Sequence, residues 1–422
     1  MRDSPGVRVP GLRRRKFPAP VIIGTIMLRL TILLFLTIPG AVAADSARVA
    51  RLLDRAIIVD LHDDTTQMIL DEGYNLAERH TFGQVDVPRM RAGHVSGIFM
   101  SIFVDAALYT PAEAVRRSLA EIDAVRRETA RHPNDLVLAT TADEILGARE
   151  RGRIAILMGI EGGHAIDSDL AILRTYFSLG ARYMTLTHSS PTPWADSSGK
   201  PPVHNGLTDF GKQVVREMNR LGMMVDISHV ADKTFYDALE VSSAPVIASH
   251  SSTRALASAP RNMTDDMLRA LAKKNGVVHI NFFEGFLDDG FSKRFGDLKS
   301  EQAAQDKIEA AMPKFGDRAR GAAEVRKLNQ QRIAKTGRVP LSRLLDHFDH
   351  AIKVAGMDHV GLGSDFDGVD DQLPQGMEDI SKIPNLVAGL MDRGYSDADI
   401  LKVLGGNTLR VMREVETIAK RP

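Results

Sequence analysis

The chain has 422 residues, of which 44% are hydrophobic and 26% are charged, as in an ordinary globular protein with enough apolar material for a large core. Lysine plus arginine and aspartate plus glutamate both number 54, and this balance excludes the strongly basic character typical of proteins that bind nucleic acid or anionic membranes. There is no cysteine, so disulfides are excluded as a source of stability.

The first predicted element is a secretory signal peptide. From Met27 a short basic start precedes an apolar segment and an Ala-Val-Ala site, and cleavage is expected near Ala43. Residues 1–26 are either an extended basic region of the signal or the product of an upstream start, with Met27 as the true first residue. A permanent membrane span is disfavoured because the apolar segment 28–42 contains Pro-Gly and is shorter than the ~20 residues that a span requires. We therefore expect an exported protein, periplasmic or secreted, whose signal and upstream segment occupy residues 1–43.

Short β-branched and apolar segments recur along the rest of the chain and predict eight strands. They are residues 57–59, 95–104, 154–160, 183–186, 223–227, 246–248, 277–280 and 360–362. Helical periodicity occupies most of the intervals, at residues 112–132, 170–179, 210–221, 264–274 and 341–355. This alternation predicts a parallel sheet, and a count of eight favours a (β/α)8 TIM-like barrel over an open doubly wound sheet.

The segment 288–339 differs from its surroundings because it is charged and rich in Ala, Gln, Lys and Arg. It predicts a helical insertion at the barrel mouth, before the last strand. A solvated surface excursion without a role is the alternative. We expect a single catalytic domain over residues 44–422 that carries this insertion.

Metal-ligating and acid–base side chains follow most of the predicted strands. In chain order they are His62, Asp63, Asp64, Glu161, His188, Asp226, His229, His250, Asp365 and Asp367. Active sites of this architecture lie at the carboxyl ends of the strands, so residues scattered in sequence are expected to converge. His-x-Asp alone is weak evidence, since a strand-end histidine bonded to a neighbouring carboxylate would look the same. Three imidazoles and two carboxylates together can hold two divalent cations; zinc fits best, while manganese and cobalt stay open.

Six sequence blocks, in the same order, resemble the renal (membrane) dipeptidase family, peptidase family M19. They are EGGHAIDSDL at Glu161, YMTLTHSSPTPWAD at Tyr183, LGMMVDISHV at Leu221, APVIASHSS at Ala244, RNMTDDML at Arg261 and GLGSDFDGV at Gly361. The resemblance runs from Ile58 to about Val415. It implies a zinc-dependent dipeptidase with a barrel of the metal-dependent hydrolase, amidohydrolase-like type.

The resemblance also implies residue roles. His62 and Asp64 would bind one zinc ion, His229 and His250 the other, and Glu161 would bridge the two. Two cations that share a water lower its pKa toward ~7, which makes a nucleophile available at neutral pH.

Three further residues would act on the substrate. The resemblance implies that His188 contacts the substrate carbonyl, that Arg261 binds the α-carboxylate of the dipeptide and that Asp365 handles the proton. Each role is chemically reasonable, because an imidazole can donate to a developing oxyanion, a guanidinium offers a bidentate fork and a carboxylate can pass a proton to the leaving amine.

Neighbouring residues are interpreted as supporting groups. His164 and Asp226 are expected to orient ligands or to serve the structure, and Trp194 to pack within a loop at the mouth. Asp63 stands where the family often has asparagine and would add negative charge near the first zinc ion.

Two other functions stay open at this point. One is hydrolysis of other amides, such as β-lactams, by the same metal chemistry; the other is a non-catalytic exported metal-binding protein. Asp365 argues against the second, because metal binding alone needs no proton shuttle. The expected partner is a dipeptide, with no nucleic acid and no membrane span after signal cleavage. The side-chain preference, the acceptance of a C-terminal D-residue and a noncovalent homodimer stay open.

Overall fold

The structure is a computed structural model that describes residues 46–420. The predicted signal segment, residues 1–43, and the choice of start site lie outside the described residues. None of the helices within residues 46–420 has the length and apolar character needed to cross a bilayer.

Nine parallel strands form the framework of the described chain. They are β1 (Ile58–Asp63), β2 (Val95–Phe103), β3 (Leu136–Leu138), β4 (Ile154–Glu161), β5 (Ala181–Thr185), β6 (Met224–Asp226), β7 (Ile247–Ala248), β8 (Val277–Ile280) and β9 (Val360–Leu362). Their order is β2-β1-β9-β8-β7-β6-β5-β4, and β2 also pairs with β4, which closes eight strands into a barrel. The predicted (β/α)8 fold is confirmed.

The ninth strand, β3, was not predicted. It pairs with the first residues of β4, from Leu136 opposite Ile154 to Leu138 opposite Ile156. Three residues are too few to show an alternating pattern, so the sequence gives no clear signal for this strand. It lies at the amino end of β4 and therefore away from the carboxyl ends where the site is built.

Helices occupy most of the intervals between strands. They are α1 (Ser46–Arg55), α2 (Thr66–Glu72), α3 (Val87–Ala92), α4 (Pro111–Arg131), α5 (Ala142–Glu150), α6 (Leu170–Leu179), α7 (Asp209–Leu221), α8 (Asp232–Val241), α9 (Asp265–Lys273), α10 (Glu284–Leu287), α11 (Asp289–Gly296), α12 (Lys299–Ala311), α13 (Ala319–Thr336), α14 (Leu341–Ala355), α15 (Ile383–Asp392), α16 (Asp397–Leu401) and α17 (Asn407–Ala419). The five predicted helices are present with bounds within one residue of those expected.

Local sequence signals set the ends of several helices. Thr264 caps α9, where its hydroxyl accepts a hydrogen bond from the Met267 N–H at 3.2 Å. Thr110 and Glu113 form a reciprocal capping box at the start of α4. Gly222 ends α7 in the left-handed region, with φ of 83°, where glycine is favoured.

Two clusters of buried side chains hold the barrel together. One contains residues from seven of the eight barrel strands, all except β9, together with residues of α17. Its members include Val59, Phe99, Leu157 and Tyr183. The other packs the remaining strand residues, such as Ile98, against the surrounding helices. Close packing on both faces of each strand gives the strand ends fixed positions, as a site with several ligands requires.

The helical insertion predicted before the last strand is confirmed as α11, α12 and α13, between β8 and β9. It is anchored on α2 at the mouth of the barrel. The Arg318 N–H donates to the Asp71 carbonyl at 3.1 Å, and the Arg326 guanidinium forms two bonds of 2.8 and 2.7 Å with the Glu72 carboxylate. These contacts place α13 beside the carboxyl ends of the strands.

Candidate metal centre and active site

The strand ends bring the five predicted ligands together, with the Glu161 carboxylate, at the end of β4, between the others. Its Oε1 lies 3.0 Å from His229 Nε2 and 3.4 Å from His250 Nε2, and its Oε2 lies 3.4 Å from His62 Nε2. Asp64 Oδ2 lies 3.3 Å from the same His62 nitrogen. The donor atoms thus converge from β1, β4 and the segments after β6 and β7.

These donors fit metal ions. His62, Asp64 and Glu161 form one group of converging atoms, and Glu161, His229 and His250 form a second, each with its atoms within 4.8 Å of one another. His62 Nε2 and Asp64 Oδ1 are buried and have no hydrogen-bond partner among residues 46–420. Buried polar atoms without a partner are costly, and a cation among them would remove that cost. Imidazole and carboxylate together suit zinc and its divalent neighbours.

Hydrogen bonds on the far side of the rings orient two of the imidazoles. His62 Nδ1 lies 2.7 Å from the Tyr183 hydroxyl, and His250 Nδ1 lies 2.8 Å from the Ser249 hydroxyl, which itself donates to Asp226 at 2.6 Å. With Nδ1 engaged, each ring presents Nε2 to the centre, as ligating histidines do. Asp226 is therefore linked through Ser249 to His250, a predicted ligand.

The electrostatics favour the ligating forms of His229, His250 and Glu161. Burial holds the pKa of both His229 and His250 well below the ordinary value, so both imidazoles are neutral. Burial alone would raise the pKa of Glu161, but the imidazoles of His62 and His188 outweigh it and hold that pKa well below its usual range. Burial alone would lower the pKa of His62, but Tyr183, Glu161 and Asp64 outweigh it and raise that pKa well above the ordinary value. A metal ion at this position would therefore displace a proton from His62, since a ligating imidazole is neutral.

Two residues of the site have backbone conformations that the sequence does not reveal. His229 and Asp365 have φ of 66° and 65°, in the left-handed region. The His229 carbonyl accepts from the Ser198 N–H at 2.8 Å and from the Thr187 hydroxyl at 3.1 Å, which holds the turn. Strained backbone retained by surrounding contacts is common at functional sites, and here it turns both side chains toward the centre.

Asp365, after β9, lies at the edge of the ligand cluster. Its Oδ2 accepts a hydrogen bond from Asn281 Nδ2 at 2.8 Å, and its Oδ1 lies 4.0 Å from His62 Nε2. Burial raises the pKa of this carboxyl to about 7. A carboxyl with this pKa can both accept and return a proton near neutral pH.

Arg261 and His188 flank the ligands. The Arg261 guanidinium is buried and donates to the Ser251 hydroxyl at 2.6 Å and to the His250 carbonyl at 2.7 Å, while its Nε has no partner among residues 46–420. Burial lowers its pKa to about 10, so it is charged at neutral pH. His188 Nε2 lies 3.7 Å from Glu161 Oε1, and burial lowers the pKa of this imidazole.

The supporting residues lie outside the ligand cluster. Asp63 accepts from the Thr65 N–H at 3.2 Å and the Thr65 hydroxyl at 2.9 Å, and burial beside Asp367 raises its pKa well above the usual range. A carboxyl with a raised pKa tends to be protonated, so the extra negative charge expected from Asp63 near the first metal is not supported. His164 Nε2 lies 2.7 Å from the Val104 carbonyl, and Trp194 is fully buried, so both serve the structure.

Several orienting residues were not identified from the sequence. They are Ser101, which donates to Glu161 Oε2 at 3.1 Å, together with Tyr183, Ser249 and Asn281. Tyr183 lies inside a predicted strand, where its ring fits the apolar pattern and its hydroxyl gives no separate signal. Its position at the start of the block YMTLTHSSPTPWAD could have drawn attention to it. Its partner His62 lies on another strand, however, so the sequence does not show which group the hydroxyl contacts.

A cavity of about 430 Å³ opens over the cluster. Asp64, Glu161, His229, His250 and Asp365 form its floor, and Phe103, Phe283 and Phe286 add apolar wall. The Arg261 guanidinium lies 5.6 Å from the centre of the ring of Phe286, which lines this cavity. The volume is within the range of small-molecule sites and suits a ligand of dipeptide size.

Comparison with known proteins identifies the chain. The sequence model described as Membrane dipeptidase (Peptidase family M19) matches residues 46–422. The chain belongs to the membrane dipeptidase family. An uncharacterized dipeptidase of Schizosaccharomyces pombe is 36% identical over 394 residues, which cover 88% of this chain and 83% of that protein.

Solved structures of similar proteins have the same fold. The probable dipeptidase PvdM of Pseudomonas aeruginosa has a TM-score of 0.76 at 25% identity, and covers 88% of this chain and 98% of its own. A metallopeptidase of Rhodobacter sphaeroides, liganded with a phosphinate mimic of L-Ala-D-Ala, has a TM-score of 0.69 at 26% identity, and covers 85% of this chain and 99% of its own. The predicted family is confirmed, and the chain is a metal-dependent dipeptidase.

Proposed function

We propose that the chain hydrolyses dipeptides with two zinc ions, one held by His62 and Asp64 and the other by His229 and His250, with Glu161 as a ligand of both. The observation that carries this proposal is that Glu161 belongs to both groups of converging donors, with one carboxylate oxygen directed to each. A carboxylate can contribute two oxygens, so one residue can serve two cations.

The bound cations would supply an activated water near neutral pH and a Lewis acid for the peptide carbonyl. The protein supplies the remaining chemistry. Asp365 accepts the proton released when water attacks, and returns it to the leaving amine, which must be protonated to depart. Asn281 holds Asp365 Oδ2 at 2.8 Å and so leaves Oδ1 on the side of the ligands.

Substrate contacts come from the two flanking groups. Neutral His188 can donate to the oxygen of the peptide carbonyl as negative charge develops on it. The Arg261 guanidinium, fixed through Ser251 and the His250 carbonyl, can donate hydrogen bonds to the α-carboxylate of the dipeptide. A charged anchor beside a small cavity would explain why the substrate is a dipeptide with a free carboxylate.

The proposal includes C-terminal D-residues, because a related metallopeptidase was solved with a mimic of L-Ala-D-Ala. We also propose export to the periplasm or the medium, on the signal-like segment that begins at Met27. N-terminal sequencing of the protein recovered outside the cytoplasm tests this: a start near residue 44 is expected, and a retained Met1 or Met27 would contradict export with cleavage.

The test of the proposed reaction is turnover of L-Ala-L-Ala and L-Ala-D-Ala by the zinc-loaded protein, with the same dipeptides amidated at the C-terminus as controls. The proposal expects release of free alanine from both dipeptides and much slower cleavage of the amides, which lack the carboxylate that Arg261 would bind. Equal cleavage of acids and amides would contradict the role of Arg261. Cleavage of a β-lactam but of no dipeptide would contradict the proposed substrate class.

A further inference from the structure

A second cavity adjoins the active-site cavity and is walled by the helical insertion. Its volume is about 320 Å³, and residues of α2, α4, α12 and α13 line it together with the segments that follow β2 and β9. We call it the insertion pocket, defined by Met68, Asp105, Glu309, Met312, Val325 and Asp370. Gln67, Phe103, Asp367 and Asp370 line both cavities, so the insertion pocket is a side chamber of the site.

The position of the chamber relative to Arg261 indicates which part of a substrate would reach it. Arg261 is fixed to the His250 carbonyl and Ser251, directly after β7, whereas Phe103 ends β2. Around the closed barrel, β2 and β7 are four strands apart in either direction and therefore face each other. A dipeptide with its carboxylate at Arg261 and its peptide bond over the ligands would direct its N-terminal residue toward the insertion pocket.

The walls of the pocket combine apolar surface with acidic groups. Met68, Met312 and Val325 supply apolar wall, while Asp105, Glu309 and Asp370 supply carboxylates. None of these three carboxylates forms an ion pair with a lysine or arginine within the part of the chain described here. A long side chain with an apolar stem and a cationic end suits such walls, because the stem packs on apolar surface while the charge reaches a carboxylate.

The arginines that line the pocket pair with other acids, Arg326 with Glu72 and both Arg117 and Arg318 with Asp71. Arg117 forms two bonds of 2.6 and 2.8 Å with Asp71, and Arg326 forms two with Glu72. Arg318 lies 3.6 Å from Asp71. The remaining carboxylates therefore give the pocket an excess of negative charge.

We propose that the insertion pocket is a subsite for the side chain of the N-terminal residue of the dipeptide and that it selects long, positively charged side chains such as lysine. This inference rests on the proposed dipeptidase function and on the Arg261 anchor. It gives segment 288–339 a role in substrate selection.

The test compares kcat/KM for four dipeptides on the zinc-loaded full chain: L-Lys-L-Ala, L-norleucyl-L-Ala, L-Ala-L-Lys and L-Ala-L-norleucine. Lysine and norleucine have similar stems, so their ratio isolates the charge. At the N-terminal position we expect kcat/KM to be about tenfold higher for lysine than for norleucine, which corresponds to the free energy of one charge-assisted hydrogen bond. At the C-terminal position the same ratio should lie within about twofold of unity.

Variants of the pocket distinguish a local effect from the general charge of the protein. The double substitution Glu309→Gln and Asp370→Asn should reduce the N-terminal preference to within about twofold of unity. Asparagine tolerates the left-handed backbone of Asp370, whose φ is 53°. Glu324→Gln, on the same insertion, is the matched control, because Glu324 pairs with Arg320 outside the pocket and its loss should leave the ratio unchanged.

The outcomes separate the two proposals. If L-Ala-L-Ala is cleaved but lysine and norleucine are cleaved equally, or if the double variant retains the wild-type preference, the subsite is overturned and the dipeptidase reaction stands. If L-Ala-L-Ala is not cleaved at all, the proposed reaction is overturned and the subsite with it. A lysine preference that disappears in the double variant and persists in Glu324→Gln supports the subsite.

Discussion

Replacing Asp365 by asparagine tests whether this residue moves the proton. The substitution keeps the shape of the side chain, and the introduced amide oxygen can still accept the 2.8 Å bond from Asn281. It removes the group whose pKa burial raises to about 7 and which is therefore suited to accept and return a proton. Loss of general acid–base catalysis typically costs about 100- to 10,000-fold in rate, or about 3–5 kcal/mol in the barrier.

The assay is the steady-state hydrolysis of L-Ala-L-Ala, with zinc content measured on the same preparation. We expect kcat to fall by about 100-fold or more, with KM and bound zinc unchanged. Asp358→Asn is the control, since Asp358 precedes the same strand and pairs with Lys402 at the surface, 2.7 Å away. Wild-type turnover in Asp365→Asn would refute the proton role. Loss of zinc would instead make Asp365 a ligand, because it also converges with His62 and His250.

Three further changes test the anchor, the support of a ligand and a buried acid. Arg261→Lys keeps the charge but removes the fork, so kcat/KM for L-Ala-L-Ala should fall about 10- to 100-fold with zinc content unchanged; an unaltered kcat/KM would contradict the clamp. Tyr183→Phe removes the hydroxyl 2.7 Å from His62 Nδ1 and should weaken zinc binding about 10-fold or more in competition with a chelator, whereas equal affinity would show that the hydroxyl does not support the ligand. Burial raises the pKa of Glu284 from 4.5 to about 7, so ionising it costs the folded state up to about 3 kcal/mol as pH rises from 5 to 8. Glu284→Gln removes this cost, and its unfolding free energy relative to wild type should therefore increase over that pH range; a constant difference would contradict the shift.

The fold was largely predictable because apolar runs and helical periodicity mark the elements of a barrel directly. The exact ends of the strands were harder to predict. The first strand was expected to end at Val59, yet β1 continues to Asp63. The buried Asp60 carboxylate accepts from the Ser364 N–H at 2.9 Å, and this partner comes from the other end of the chain. A polar residue inside a strand looks like a strand end until the bond that satisfies it is known.

The positions of the proposed ligands were predictable for a similar reason, since each lies at or shortly after the carboxyl end of a strand. Their orientation was not. His229 enters the site through a left-handed backbone position that nothing in its own sequence requires. Tyr183 and Ser249 orient imidazoles of other or adjacent segments through the far ring nitrogen. Such contacts depend on the closed barrel, so they become visible only in three dimensions.

The most direct test of a two-metal dipeptidase is a zinc titration of the chelator-treated protein, followed by hydrolysis of L-Ala-L-Ala. The two donor groups that share Glu161 predict no turnover without metal and full activity at about two equivalents of zinc per chain. Hydrolysis by the metal-free protein, or full activity reached at one equivalent, would contradict the account.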